Sequence, residues 1–315
     1  MKKTPIFLLF AVLALSGCRK PVGNYEHPDF EPVPTLNAVL SESRPVWVQV
    51  SMAQGLESVH PAVCKDAEVL LFVDGQFAEN LRFDAESGFY QGETTAQAGC
   101  KYACKVVLPG YDTLFAQTTV PEKPVVTRVE IMENATVDEE GGTCPAVLLT
   151  FKTNPNQRLY YDANIEAFFQ THYVQNGDTT GHSVVHGSMN ESINTDDPVL
   201  LNEGSDRLLF SNEIIRDTTY TLKVNTSFSS HSYGGQHSGS ILVRSGYVVV
   251  NMHGLSESCF RYLKSQESFE EPDGNTNLFL GVITPLNPYG NVKNGCGLFA
   301  AIAPMSCDTL FINPQ

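Results

Sequence analysis

The stretch EVLLFVDGQFAENLRF, residues 68–83, decides the fold of this chain. Residues of high β-propensity lie on both sides of Asp74-Gly75, and this pair divides the stretch into two runs of strand length. A two-residue hairpin turn needs positive φ, which glycine adopts freely and aspartate tolerates. The stretch therefore predicts two antiparallel strands, 68–73 and 76–83, joined by a tight turn.

The sequence on either side of this hairpin extends the β pattern. Over residues 46–51 valine alternates with tryptophan, glutamine and serine, which is the period-two pattern of a half-buried strand. Alternation returns over 102–108, and a Pro-Gly turn then leads into a further apolar run at 114–120. Because no helical periodicity interrupts residues 36–121, we predict an N-terminal β-sandwich there.

A polar, proline-flanked segment, Pro121-Glu122-Lys123-Pro124, marks the predicted domain boundary. Residues 124–315 are predicted to form a second, β-rich domain. Its clearest strand covers 159–169, where apolar residues hold the odd positions. Long polar loops are predicted at 175–196 and 226–240. The other strands predicted in this domain cover residues 125–132, 146–152, 220–224, 247–252, 278–283, 298–303 and 310–312.

One helix is predicted near the end of the chain. Ser256 is a good N-cap, and Leu255 and Phe260 are spaced to form a hydrophobic staple across it. Cys259 and Leu263 extend an apolar stripe at helical spacing, which is typical of a helix that packs on a core. The predicted fold class is therefore mainly β, with two β-sandwich-like domains and one short helix in the second.

The N-terminus has the features of a lipoprotein signal sequence. Lys2 and Lys3 precede an apolar run over residues 6–15, and Leu15-Ser16-Gly17-Cys18 then forms a lipobox. The apolar run is shorter than the roughly 20 residues that a membrane-spanning helix needs. The alternative is an ordinary secretory signal in which the cysteine stands at the cleavage site by chance.

We expect residues 1–17 to be removed as a signal peptide and Cys18 to carry the lipid anchor. Residues 18–35 are rich in proline and polar residues, so they are predicted to form an extended tether. The lipid is expected to hold the chain at a membrane of the cell envelope. Arg19 and Lys20, directly after the cysteine, leave both the periplasmic face and the cell surface open.

Acidic residues outnumber basic ones. The chain has 35 Asp and Glu against 20 Lys and Arg, a formal net charge of −15 at pH 7. Removal of Lys2 and Lys3 with the signal peptide would leave 18 basic residues against 35 acidic ones, a net charge of −17. Because a field of this sign repels phosphate, no nucleic-acid partner is expected.

Seven cysteines remain besides Cys18, and an odd number cannot all pair. An oxidising envelope permits disulfides, and closely spaced C-x₂-C pairs of the kind that hold zinc are absent from the sequence. We expect one or two disulfides, with the other thiols free. The pairs that the sequence leaves open are Cys64 with Cys100 or Cys104, and Cys296 with Cys259 or Cys307.

The two long loops carry the candidate binding residues, because a rigid sandwich commonly displays its contact residues on loops. His182 and His186 are four apart, a spacing that on a strand places both on one face and could begin a metal site. The alternative, which we favour, is that the histidines are solvated loop side chains, since flexible loops hold ligands poorly. No resident metal is therefore predicted. The candidate binding residues are His182, His186, His231, Tyr233 and His237.

Familiar catalytic motifs are absent from the sequence. It contains no G-x-S-x-G nucleophile elbow, no H-E-x-x-H pair, no P-loop and no dinucleotide fingerprint. We therefore predict a non-enzymatic protein without a cofactor. A hydrolase whose serine, histidine and aspartate meet only in the fold stays an alternative, because a triad is recognised by geometry.

Short fragments along the chain follow a familiar order. In the first domain they are Leu36-Asn37-Ala38, Val48-Gln49-Val50-Ser51, Ala98-Gly99, Pro109-Gly110-Tyr111 and Thr118-Thr119-Val120-Pro121. In the second they are Asp196-Asp197-Pro198-Val199-Leu200, Leu208-Leu209-Phe210-Ser211, Thr219-Tyr220-Thr221-Leu222-Lys223-Val224, Leu255-Ser256-Glu257, Phe260-Arg261-Tyr262-Leu263-Lys264-Ser265 and Asn294-Gly295-Cys296-Gly297-Leu298-Phe299. Together they resemble the Bacteroidota outer-membrane lipoproteins of the DUF4249 family, over nearly the whole mature chain.

This resemblance implies a first domain similar to transthyretin-like or immunoglobulin-like sandwiches. It also implies a TonB-dependent receptor as a partner, since such lipoproteins are commonly encoded beside one, and it carries over no catalytic residues. We therefore expect a non-enzymatic binding or accessory component of a TonB-dependent uptake system, whose ligand the sequence does not name. The alternatives are a structural or adhesion subunit of the surface and, less favoured, a hydrolase.

Overall fold

The structure is a computed structural model that describes residues 31–55, 62–137, 143–175, 178–188, 195–205, 207–225, 241–270 and 288–312. Several predictions from the sequence lie outside these residues. They are the signal peptide, most of the tether, the loop at 226–240 and the strand at 278–283.

The first part of the chain is built from strands alone. These strands are β1 (Pro34–Ser41), β2 (Pro45–Met52), β3 (Ala62–Val63), β4 (Glu68–Val73), β5 (Gln76–Asp84), β6 (Phe89–Thr95), β7 (Lys101–Val107) and β8 (Leu114–Thr119). The second part adds longer strands and two helices. In chain order these are β9 (Val125–Val137), β10 (Thr143–Lys152), β11 (Tyr160–Gln175), β12 (Asp178–Ser188), α1 (Pro198–Glu203), β13 (Leu209–Ser211), β14 (Thr219–Asn225), β15 (Ile241–Leu255), α2 (Glu257–Glu270), β16 (Phe299–Ile302) and β17 (Ser306–Ile312).

The hairpin predicted from residues 68–83 is confirmed. Strands β4 and β5 are antiparallel, and the turn between them holds Asp74 at φ 49° and Gly75 at φ 82°. The Asp74 carboxylate accepts a hydrogen bond from the backbone N–H of Lys101 at 2.9 Å. Because Lys101 begins β7, which pairs with the other side of β4, this bond ties the turn to the next strand.

The first part forms an antiparallel sheet in the order β1-β2-β6-β5-β4-β7-β8, with β3 paired to β2. The predicted alternation along β2 is confirmed, since Val46, Val48 and Val50 are all buried while Trp47 is exposed. Side chains from both ends of this strand order share one core, so the sheet folds over on itself as a sandwich.

The second part has two layers around a separate core. One layer is the sheet β14-β10-β9, and the other contains β12, β11 and β15 side by side, with β17 against β15 and β13 against β11. The odd residues of β11, including Tyr161, Ala163 and Ile165, face the core between the layers. The fold class is therefore mainly β and sandwich-like, as predicted.

Two predictions about the second part were wrong. The stretch 175–196, predicted as a loop, contains strand β12, which pairs with β11 over most of its length. Its Ser, Gly, Asn and His content suggested a loop, but pairing with a long neighbouring strand overrides weak local propensity. The structure also has a second helix, α1, capped by the Asp197 side chain with Pro198 in its first turn. Asp followed by Pro is a helix-start signal that the sequence did contain.

The C-terminal segment crosses the predicted domain boundary. Strand β16 pairs in parallel with β1, and its Phe299 and Ala301 lie in the core of the first sandwich. Just before it, Asn291 donates to the Gln117 carbonyl at 3.1 Å and Lys293 donates from its backbone N–H to the Phe115 carbonyl at 2.8 Å. Residues far along the chain therefore lie between β1 and β8 and close the first sandwich.

A buried polar cluster joins the two parts at this seam. The Ser258 hydroxyl donates to the Phe299 carbonyl at 3.0 Å and lies 3.2 Å from the Thr118 hydroxyl of β8. The Ser256 hydroxyl accepts from the Ala301 backbone N–H at 2.9 Å. Because these groups are buried and satisfied, the cluster holds α2, β16 and β8 in one arrangement.

The predicted disulfides are not formed in the part of the chain that the structure describes. All of the candidates for pairing are free, namely Cys64, Cys100, Cys104, Cys259, Cys296 and Cys307. Cys64 and Cys100 are partly buried against the first core, whereas the candidates later in the chain lie in different environments from one another. Cys104 is buried in the first core, Cys259 is buried on the packed face of α2, and Cys296 and Cys307 are exposed.

Candidate functional site

Polar side chains line the outer face of strands β11 and β15. Asp162, Asn164 and Glu166 come from β11, and Asn251 and His253 come from β15; we call these five residues the polar strip. The register places Asp162 opposite His253 and Asn164 opposite Asn251. All five are half-buried. A row of polar groups is thus held on adjacent strands of a sheet.

Strand alternation explains why the three β11 residues of the strip share one face. The odd residues of β11 are apolar and face the core, so the even residues Asp162, Asn164 and Glu166 must lie on the opposite face. The sequence pattern correctly separated these two sets. The contribution of Asn251 and His253 was missed, because the pairing of β15 with β11 joins residues about 90 positions apart and no local signal reports it.

Helix α2 packs on the same face at one end of the polar strip. Cys259, Phe260 and Leu263 form a small apolar cluster with Leu255, and the Phe260 ring lies 4.7 Å from the Tyr160 ring. The predicted N-cap and staple are both confirmed, since the Ser256 hydroxyl accepts the Cys259 backbone N–H at 3.2 Å and Leu255 and Phe260 share this cluster. The helix thereby reduces the access of water to the nearest end of the strip.

Asp162 lies next to this helix, and the pKa of its carboxyl group departs from the ordinary value. Burial raises the pKa of its carboxyl group, and nearby Glu267 acts in the same direction. The positive charge of Arg207 and the neighbouring His253 partly oppose this rise in pKa. The His253 Nδ1 atom lies 3.2 Å from the Ala303 carbonyl oxygen, which fixes the imidazole ring beside the acid.

The remaining charged groups at this end are paired with one another. Glu267 accepts a hydrogen bond from the Ser205 hydroxyl and forms an ion pair with Lys264 at 3.3 Å. Lys264 also donates to the Glu203 carbonyl at 2.9 Å. These contacts connect α2 to the end of α1. The charged side chains beside the strip are therefore paired within the protein.

Cys259 lies near Asp162 of the strip, and its environment keeps it unreactive. Burial, with the negative charge of Asp162 nearby, raises the pKa of this thiol to about 12. Since the thiolate is the nucleophilic form, a thiol with such a pKa is protonated at neutral pH. The cysteine therefore acts as an apolar packing residue on the buried face of α2.

Asn251 lies at the centre of the strip and has an unusual feature. Among the described residues, only its Oδ1 atom and that of Asn225 are buried side-chain N or O atoms without a hydrogen-bond partner. Buried polar atoms are nearly always satisfied, so each exception calls for an explanation. Asn225 lies on β14 in the other layer, where its amide donates to Asp196 at 3.3 Å. In the strip, an unpartnered acceptor lies beside further acceptors.

The chemistry of the strip favours ligands that carry hydrogen-bond donors. When ionised, the carboxylates of Asp162 and Glu166 act only as hydrogen-bond acceptors, and Asn251 adds an amide oxygen. The Asn164 amide is engaged with Glu166 at 3.4 Å. Hydroxyl and N–H groups of a small polar molecule match these acceptors.

The structure gives different outcomes for the binding residues predicted from the sequence. His182 and His186 lie on strand β12 rather than in a loop, as register partners of His172 and Phe168. Cys18, His231, Tyr233 and His237 lie outside the described residues. The predicted lipid site and the second predicted binding loop therefore stay predictions.

The described residues lack two further features. They contain no group of three or more His, Cys, Asp or Glu side chains placed to hold a metal ion. Over the same residues, neither helix is long and apolar enough to cross a membrane.

Comparisons with known proteins place the chain in a family. No curated protein matches it. A solved structure of a Corynebacterium diphtheriae protein described as membrane anchored is similar at 13% identity and a TM-score of 0.22, over 73% of this chain and 56% of that one. The family model described as "Domain of unknown function (DUF4249)" matches residues 23–307. The chain therefore belongs to the DUF4249 family, as its sequence fragments predicted.

Proposed function

We propose that this protein is a lipid-anchored, non-enzymatic binding component of the outer membrane that works beside a TonB-dependent receptor. The lipobox ending at Cys18 supports the anchor, because acylation of that cysteine would hold a folded β body at a bilayer. Family membership supports the accessory role only through the resemblance described above. The ligand site that we propose is the polar strip.

The observation that carries the binding role is the unpartnered Oδ1 atom of Asn251 among other acceptors on a rigid sheet face. A buried acceptor without a partner costs about 1–3 kcal/mol, so a protein that keeps one gains when a ligand donor reaches it. Asp162 and Glu166 flank this position on the neighbouring strand. The ligand class that fits is a small molecule with several O–H or N–H donors.

The receptor partnership is tested by affinity purification of the full-length, lipidated protein from detergent-solubilised outer membrane. Copurified proteins are identified by mass spectrometry. A TonB-dependent receptor in stoichiometric amount would support the accessory role. Recovery of the lipoprotein alone would contradict it, and recovery of its own oligomers would favour a structural or adhesion subunit.

Ligand binding at the strip is tested separately by the thermal stability of the purified protein. A low-molecular-mass extract of the cell envelope should raise the melting temperature of the wild type, because a ligand that binds only the folded state stabilises it. Asn251→Ala should abolish this rise. Asn225→Ala is the matched control, since it removes the other buried unpartnered amide oxygen at a position away from the strip. Equal loss of the rise in both variants, or none in the wild type, would contradict the proposed site.

A further inference from the structure

Two exposed aromatic rings lie side by side on strands β15 and β17. Tyr247 of β15 and Phe311 of β17 are register partners, and their ring centroids lie 6.5 Å apart; we call them the aromatic pair. Phe311 is 71% exposed and Tyr247 is 39% exposed. Adjacent large apolar side chains left in water often mark a contact surface, so this pair calls for a partner.

The aromatic pair lies on the same face of the sheet as the polar strip. In β15 the Val248 side chain is buried in the second core, so Tyr247 and Asn251 lie on the opposite face. In β17 the Leu310 side chain packs against that core, and the next residue, Phe311, faces outward. The pairing of β15 with β17 has no register shift between these positions. The strip therefore ends at helix α2 on one side and at the aromatic pair on the other.

Hydrogen-bonding groups lie between the aromatic pair and the centre of the strip. Glu166 of β11 and Thr309 of β17 are both register partners of Val249, one on each side of β15. Val249 lies midway between Tyr247 and Asn251, which are four residues and hence about 13–14 Å apart along the strand. Glu166 is half-buried and Thr309 is exposed. The face thus combines an apolar end with polar groups that extend beyond the length of one small ring.

We propose that the ligand of this face is a carbohydrate, an oligosaccharide of at least two pyranose rings; this inference rests on the ligand site proposed above. One sugar ring lays its apolar C–H face on the aromatic pair, because the face of an aromatic ring carries partial negative charge that attracts C–H groups. The hydroxyl groups of that ring meet Glu166 and Thr309. Those of the next ring meet the strip at Asn251.

A cationic amine fits this face less well than a sugar. Aromatic rings and carboxylates also attract ammonium groups. An ammonium group only donates hydrogen bonds, however, whereas the Thr309 hydroxyl and the Asn251 amide contain donors as well as acceptors. The negative charge of Asp162 is also partly offset by Arg207 and by His253. Sugar hydroxyl groups both donate and accept, so they match this mixed set.

The carbohydrate is tested by treating the envelope extract with periodate before the thermal-stability measurement on the full-length protein. Periodate cleaves the vicinal diols of sugars, and its excess is quenched and removed before use. The untreated extract should raise the melting temperature of the wild type, because a ligand that binds only the folded state stabilises it. The treated extract should lose this effect.

Variants of the aromatic pair give a second measurement with the untreated extract, each compared with its own melting temperature. Phe311→Ala should lose most of the rise, whereas Phe311→Tyr keeps an aromatic ring and should retain it. Phe77→Ala is the matched control, since Phe77 is 59% exposed and lies 5.8 Å from the Phe72 ring in the β4–β5 hairpin of the first sandwich. This control should retain the full rise.

The possible failures separate this inference from the proposed ligand site. A rise that survives periodate, or that Phe311→Ala keeps in full, would overturn the carbohydrate while leaving the strip as a ligand site. Equal loss of the rise in Phe311→Ala and Phe77→Ala would also overturn it, because the effect would not depend on the aromatic pair. No rise with the untreated extract would contradict the ligand site itself, and this inference with it.

Discussion

Gly297 lies where the C-terminal segment passes closest to strand β1. Its φ of +115° lies in the left-handed region, and a Cβ atom there would overlap the Leu36 carbonyl oxygen and come within 2.8 Å of the Asn37 side-chain oxygen. The same Asn37 oxygen accepts the Leu298 backbone N–H at 3.0 Å. Backbone conformation and space both require glycine at this position.

Gly297→Ala should therefore lower the free energy of unfolding by about 3 kcal/mol or more, the sum of a left-handed conformation and an overlap with backbone. The measurement is equilibrium denaturation in urea. Gly110→Ala is the control, because Gly110 has φ +83° with open space around its Cβ position. It should cost only about 1–2 kcal/mol. Equal costs for the two variants would show that the close approach to β1 is unimportant.

Asp162 and Asp84 should affect stability in opposite directions as the pH changes. Burial raises the pKa of Asp162, so the folded state binds its proton more tightly than the unfolded state, whose pKa is about 3.9. The resulting stabilisation is present below that value and is lost as the pH rises through the folded-state pKa. The free energy of unfolding of Asp162→Asn should therefore increase relative to that of the wild type as the pH rises from about 3.5 to about 7.

Asp84 supplies the control of opposite sign. Hydrogen bonds from Ser87 and the Glu86 backbone lower the pKa of this exposed carboxyl group. Its stabilisation is present above the unfolded pKa and is lost as the pH falls through the folded pKa. Asp84→Asn should thus lose stability relative to the wild type over the same range, measured by urea denaturation at each pH. Matching trends in the two variants would contradict the assigned cause.

Ser256, at the start of helix α2, connects two elements by accepting two backbone hydrogen bonds. The Ser256 hydroxyl accepts the Cys259 backbone N–H of the first helical turn and also the Ala301 backbone N–H of β16. The first bond caps the helix, and the second fixes the strand that completes the first sandwich. Both donors would be left unsatisfied in a buried place if the hydroxyl were removed.

Ser256→Ala should lower the free energy of unfolding by about 2–4 kcal/mol, since a cap is worth about 1 kcal/mol and an unsatisfied buried donor costs about 1–3 kcal/mol. Ser256→Gly is the informative comparison, because glycine caps a helix within a few tenths of a kcal/mol of serine. The cost that remains in the glycine variant then belongs mainly to the lost bond to β16. A glycine variant as stable as the wild type would show that this bond contributes nothing.

At the scale of the whole molecule, β16 makes the two sandwiches interdependent. It carries Phe299 into the core of the first sandwich although it follows the whole second part in sequence. Its neighbours α2 and β15 belong to the second part. Unfolding of the second part would release β16 and expose the first core, so we expect one cooperative unit.

Unfolding in urea should thus show a single transition. Trp47, the one tryptophan of the chain, lies on β2 and reports on the first sandwich by fluorescence, while far-UV circular dichroism reports on the whole β structure. Phe299→Ala in the first core and Leu149→Ala in the second should each shift both probes together, by about 2–5 kcal/mol. Separate transitions, or a Leu149→Ala variant that leaves the fluorescence transition unmoved, would contradict this coupling.

The sequence alone determined those features that depend on neighbours along the chain. Asp74-Gly75 specified a turn because its backbone conformation is available to few residue pairs. Alternation specified which side of β2 and β11 is buried, and Ser256 specified where a helix starts. Family membership also followed from the order of short fragments. Each of these signals lies within a few residues of the structure that it predicts.

Only the tertiary structure decided which strands lie side by side. The pairing of β16 with β1 and the meeting of Asn164 with Asn251 both join residues far apart in sequence. Alternation tells which face a residue takes but not which strand lies next to it, because strand partners are chosen by global packing. The polar strip spans two strands for that reason, and no local pattern could have predicted that Asn251 and His253 of β15 contribute to it.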